Sequence, residues 1–210
     1  MFVSLINSFF ITLRKIKPKS MTEKNSVLRY ALLAGLILLA AVTRMLPHPP
    51  NVTPIGGMAL LGAAYINRKY IAFLIPLLAL WLSNLALDNL VYGAYYEGFV
   101  WFSQPFVFLA FGLIVVLGWS LLKKVTPLRL LSTSLGASVL FFLVSNLGVW
   151  IGDGMYPKTF SGLLMCYTAG LPFFRNTLLG DLFFAGVLFG AFEWLQYRFP
   201  ALRNSYRQEL

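Results

Sequence analysis

One cysteine and one histidine occur in 210 residues. The lone Cys166 excludes an intramolecular disulfide and any CxxC metal site, and the lone His48 excludes HExxH and multi-histidine centres. The chain has no GxSxG, no P-loop and no GxGxxG stretch, so hydrolase, nucleotide-phosphate and dinucleotide readings lack support. Charge is scarce too: 11% of residues are Asp, Glu, Lys or Arg, against about 25% in an ordinary soluble domain. What fills the space is apolar. Hydrophobic residues make up 59% of the chain and mean hydropathy is +0.75. Several runs approach the roughly 20 residues needed to cross a hydrocarbon core, so most of the chain is expected inside a lipid bilayer. Such a chain is expected to bind or move something, with no catalytic residue, metal or cofactor.

Seventeen Lys and Arg against seven Asp and Glu give a net charge of +10. In a soluble protein that excess would suggest a polyanion partner; in a membrane protein it first marks a side. Six apolar segments are centred on 29–46, 53–66, 70–87, 100–122, 128–150 and 175–197. With the N-terminus in the cytoplasm, 14 of the 17 basic residues fall inside, and only Arg44, Lys158 and Arg175 lie at or beyond the outer ends of spans. The positive-inside rule is then met at every inner turn. The expected fold is all-α, a six-helix integral membrane bundle with both termini cytoplasmic and no nucleic-acid partner.

Residues 1–28 join an apolar stretch to a basic one and read as an interfacial helix, or as lying upstream of a start at Met21. Residues 29–198 form the membrane domain and 199–210 a basic cytoplasmic tail. The stretch 161–174 is apolar but short, ends in Gly170-Leu171-Pro172, and predicts a re-entrant or surface helix before the last span.

The outer connections hold most of the polar and aromatic residues, which makes that face the candidate site. Arg44 precedes Pro47-His48-Pro49-Pro50, a stretch whose prolines forbid helix. This loop reads either as a rigid turn with an interfacial Arg or as a ligand contact, with Asn51 and Thr53 as caps for a following helix. Asn84 and Asp88 are four residues apart and share a helix face; Asp88 lies either in interfacial water or in a functional position. Asn146 and Trp150 are one turn apart, before a helix break at Gly152-Asp153-Gly154. Arg175 opens the last span, and Asp181 lies about 9 Å deeper at 1.5 Å rise per residue, where a carboxylate needs a partner. Tyr156 and Tyr167 belong to an outer aromatic population that serves a headgroup belt or a pocket for a flat ligand. Ala31-x-x-x-Gly35 and Ala59-x-x-x-Ala63 allow close helix approach, within the chain or to a partner helix.

The stretch RMLPHPPNVTPIGGMALLGAAYI, an acidic residue after the third span, and SNLGVWIGDGMYPKTFSGLLMCYTAGLPFFRNTLLGDLFF together resemble a bacterial family of uncharacterised six-span membrane proteins. The likeness covers roughly residues 29–190. That family is in turn similar to the substrate-binding S components of energy-coupling-factor vitamin importers in size, span number, inside termini and an outer-facing site. The resemblance implies residence in the bacterial cytoplasmic membrane and capture of a vitamin-like small molecule. It also implies a transmembrane coupling subunit driven by cytoplasmic ATPases. Arg44, Asn51, Asn84, Asp88, Asn146, Trp150, Tyr156, Tyr167 and Asp181 become binding candidates on that ground. His48, Asp153 and Arg175 join them as polar residues of the same outer loops. Two other readings stand beside this one: a ligand-free scaffold of envelope assembly, and a membrane enzyme using Asp88, Asp153, Asp181, His48 or Cys166.

Overall fold

A computed structural model describes residues 23–152 and 154–203. Most of the expected N-terminal segment, Asp153 and the end of the basic tail fall outside the described residues. The described chain is helical throughout: α1 (Glu23–Thr43), α2 (Ile55–Tyr65), α3 (Lys69–Ala86), α4 (Pro105–Leu121), α5 (Pro127–Gly152) and α6 (Phe160–Arg198). Four are long and apolar enough to cross a membrane: α1, α3 with its continuation to Val91, α5 and α6. The other two are shorter apolar helices of 11 and 17 residues.

The expected short helix at 161–174 is not a separate element. Residues 160–198 run as one helix of 39 residues, about 58 Å long at 1.5 Å per residue. Pro172 interrupts the backbone pairing but does not end the helix. In an apolar surrounding every freed backbone group needs a partner, so continuing the helix past one missing N–H costs less than breaking it. Thr159 starts the helix by accepting from the Gly162 backbone N–H at 3.2 Å.

The shortest helix is the centre of the bundle. All 11 residues of α2 are buried, and it packs against each of the other five helices. Its composition, IGGMALLGAAY, explains this: small side chains on every face let neighbours close in from all sides. A Cβ built on Gly118 of α4 would stand 2.7 Å from the Ala63 Cβ, so that contact requires glycine. Ala59 and Ala63 are therefore spent on internal packing. Ala31 is exposed, and nothing lies within 4 Å of a Cβ built on Gly35, so that pair faces outward.

Consecutive helices pack against one another, which puts the loops 44–54, 92–104 and 154–159 at one end and the turns 66–68 and 122–126 at the other. The second end is also closed by a short helical turn, Pro200–Leu202, packed on α1 and α6. Helix α2 is about 16 Å long, half of a hydrocarbon core roughly 30 Å thick. Its N-terminus at Ile55 thus lies well inside the bundle, and the 44–54 loop descends to meet it.

Candidate functional site

In an apolar bundle, buried polar side chains identify where something other than packing is being done. They fall into three groups here.

The first is at the long-loop end. Along α3, Leu80, Ser83, Asn84, Leu87 and Asp88 are all buried, one helical stripe turned into the protein. The helix widens into a π turn over Leu87–Val91, which carries Asp88; such turns recur at functional positions. Ser103 donates to Asp88 Oδ2. Arg44, just beyond α1, donates through Nη1 to Ser83 Oγ, which itself donates to the Leu80 carbonyl at 2.9 Å. Burial lowers the Arg44 guanidinium to about 10, against the opposing pull of Asp88 and Tyr92. The Tyr96 phenol is pushed up, first by burial and then by Asp88. Asn89 buttresses the group, donating to the Val100 carbonyl and accepting from the Val100 N–H, each at 2.8 Å. Two buried donors have no partner among the described residues: Arg44 Nε and Asn84 Nδ2.

The second group lies deeper. Asp181 of α6 accepts from the Gly56 backbone N–H at 3.2 Å and from Ser138 Oγ at 2.7 Å. Its carboxyl oxygen meets the N-terminus of α2, where the helix dipole is positive and backbone N–H groups lack intrahelical partners. Thr133 and Ser134, fully buried on α5 beside Ser138, have hydroxyls without partners among the described residues. This answers the need for a partner at Asp181, and the partner belongs to the chain itself.

The third group closes the opposite end. Arg29, 2% exposed, donates to the Tyr65 and Leu202 carbonyls and to Gln196 Oε1, with its guanidinium 5.1 Å from the Phe192 ring centroid. Tyr65 donates to Glu193.

The structure thus joins Arg44, Asn84 and Asp88, and leaves the other candidates apart. His48 is exposed and bonds its own loop at Leu46. Asn51 adopts a left-handed backbone at φ 64° in the exposed loop. Arg175 is exposed, while its neighbour Asn176 donates to the Pro50 carbonyl. Asn146, Trp150 and Tyr167 form a set of their own between the ends of α5 and α6. Trp150 Nε1 donates to the Pro157 carbonyl, Tyr167 to the Leu143 carbonyl at 2.6 Å, and Cys166 to the Asn146 carbonyl at 3.4 Å. Those bonds fasten two helices together. Tyr156 lines an open apolar depression of about 460 Å³ with Leu164, Met165, Thr168 and Ala169.

Sequence reasoning missed Ser83, Ser103 and Ser138, whose small hydroxyls carry no signal alone, although Ser83 adjoins Asn84 on the buried stripe. It also read Arg29 only as a side marker, when its guanidinium is a buried tie. No curated protein and no solved structure matches the chain. A family match covers residues 24–202, and by it the chain belongs to DUF6580, a family of unknown function.

Proposed function

We propose that this protein is a solute-binding membrane protein of the uptake type, similar to the S components of vitamin importers, with its long-loop end facing outward. The six helices cross the bacterial cytoplasmic membrane, the two short ones aided by their flanking turns. Both termini are cytoplasmic, where the basic turns at 66–69, 123–129 and 198–203 meet anionic lipid. Uptake is energised by a separate transmembrane subunit with cytoplasmic ATPases, docked on the open face that carries Ala31 and Gly35.

The observation that carries this reading is the pair of unpartnered buried donors, Arg44 Nε and Asn84 Nδ2, in a cluster with buried Asp88. Leaving a buried donor unsatisfied costs about 1–3 kcal/mol, more when it is charged, and a bound solute with acceptors removes that cost. Capture at the outer end also suits the charge pattern, because Arg44 and Asp88 are among the few charged groups on that side.

The test is untargeted mass spectrometry of small molecules released from the purified protein. Wild type is expected to carry a solute that Arg44→Gln and Asn84→Ala lose at unchanged protein yield. Identical profiles in all three would contradict the proposal.

A further inference from the structure

The donor and acceptor pattern of the Arg44–Asp88 cluster specifies the kind of solute it takes, and the inference rests on the outer-site reading above. Charge comes first. The cluster contains one guanidinium and one carboxylate: Arg44 bonds Ser83, which shares a buried helical stripe with Asp88. The two charges sum to zero without a ligand. A solute of either net charge would leave an uncancelled charge in a poorly solvated place, which is costly; a net-neutral solute would not.

Hydrogen bonding comes second. Ser83 has committed its one proton to the Leu80 carbonyl and accepts from Arg44, so it has no donor left for a ligand. The positions left over on the cationic side are N–H donors, at Arg44 Nε and Asn84 Nδ2. On the anionic side, Asp88 takes one bond among the described residues, from Ser103 at Oδ2. A carboxylate has about four acceptor positions, so Asp88 retains room for a ligand donor. The π turn sets Asp88 one turn beyond Asn84 on the same buried stripe. Open donors and an open acceptor therefore belong to one buried cluster.

We infer that the site binds a net-neutral small solute presenting an acceptor and a donor along one edge. The acceptor meets Arg44 and Asn84, and the donor meets Asp88. Two chemistries supply that edge: the cyclic amide of a planar heterocycle and the zwitterionic head of an α-amino acid. Simple carboxylates and amines lack half of the match, and they and inorganic phosphate all bring a net charge.

The experiment uses the full chain in lipid nanodiscs and follows thermal unfolding and calorimetric binding. The probes are uracil and 2-pyrrolidone for the cyclic-amide edge, glycine and phenylalanine for the zwitterion, and benzoate, inorganic phosphate and benzylamine as charged controls. Saturable stabilisation by one of the neutral arms, with all three charged controls inert, is the expected result. Asp88→Asn keeps the side chain's shape and leaves the guanidinium charge uncancelled; it is expected to weaken the neutral probe at least tenfold and to admit benzoate. Asn84→Asp adds a negative charge and is expected to admit benzylamine, which provides a second readout should Asp88→Asn fold poorly. Wild-type binding of benzoate or phosphate, with the neutral probes inert, would overturn the ligand class and leave the outer site standing. Neutral binding unchanged in both variants would overturn the placement of the solute at this cluster. No binding by any probe would overturn the inference, and identical co-purified profiles in wild type and the Arg44 and Asn84 variants would then remove the outer-site reading as well.

Discussion

The Asp181 carboxylate closes the N-terminus of α2, 3.2 Å from the Gly56 backbone N–H. A Cβ built on Gly56 would lie 2.3 Å from Asp181 Oδ1, so the pair is matched to the absence of a side chain. The carboxyl oxygens satisfy a helix-end N–H that has no access to water, and Ser138 completes the set.

Asp181→Ala strands the Gly56 N–H and leaves a void, and is expected to lower stability by about 2–4 kcal/mol. Asp181→Asn retains a carbonyl oxygen for Gly56, and its amide can donate to Ser138, which then donates to the Ser134 carbonyl. That variant is expected within about 1 kcal/mol of wild type. Thermal unfolding in detergent separates the two; equal losses would show that the charge itself holds α2.

The contact between α2 and α4 admits a rescue. Gly118→Ala places a methyl 2.7 Å from the Ala63 Cβ and is expected to destabilise by about 1–3 kcal/mol. Adding Ala63→Gly removes the clash and is expected to restore at least half of the loss. Gly35→Ala, with open space around it, serves as the control and should be neutral or mildly stabilising. Additive losses in the double variant would contradict a direct contact.

How far the sequence reaches depends on the kind of evidence each element carries. Long apolar runs announce α1, α3 and α5 within a few residues, because a bilayer-length helix needs little else. The continuity of α6 escaped because Gly170-Leu171-Pro172 resembles a stop signal, and only the apolar setting makes a continuing helix cheaper than a break. Asn84 and Asp88 were legible as a pair from their four-residue spacing. That Arg44 joins them was not, since 39 residues of chain separate Arg44 from Ser83 and only packing brings them together. The depth of Asp181 was readable, whereas its partner, a backbone N–H, has no sequence signature.

Arg29 ties α1 to the last residues described. Arg29→Ala leaves the Tyr65 and Leu202 carbonyls and Gln196 without their donor. A loss of about 1.5–3 kcal/mol is expected, the range for hydrogen bonds that involve a charged group. Tryptic cleavage after Arg198 should appear first, because the Pro200–Leu202 turn is then held less firmly. Arg29→Lys, unable to serve three acceptors at once, is expected to fall between. Wild-type resistance in Arg29→Ala would contradict the tie.

Orientation is checked by labelling. In a Cys166→Ser background, Tyr95→Cys sits at an exposed position of the long-loop end and Lys124→Cys at an exposed position of the other. An impermeant maleimide added to spheroplasts is expected to label Tyr95→Cys directly and Lys124→Cys only after permeabilisation. The opposite pattern would invert the proposed topology and move the Arg44–Asp88 cluster to the cytoplasmic face.

The most direct measurement is an experimental structure of the protein purified from cells, at a resolution that separates water from solute. The expected result is connected density, larger than water, within hydrogen-bond distance of Arg44 Nε and Asn84 Nδ2 and touching Asp88. Ordered water alone at those donors, or an Arg44 guanidinium closed directly onto the Asp88 carboxylate, would contradict a solute site there.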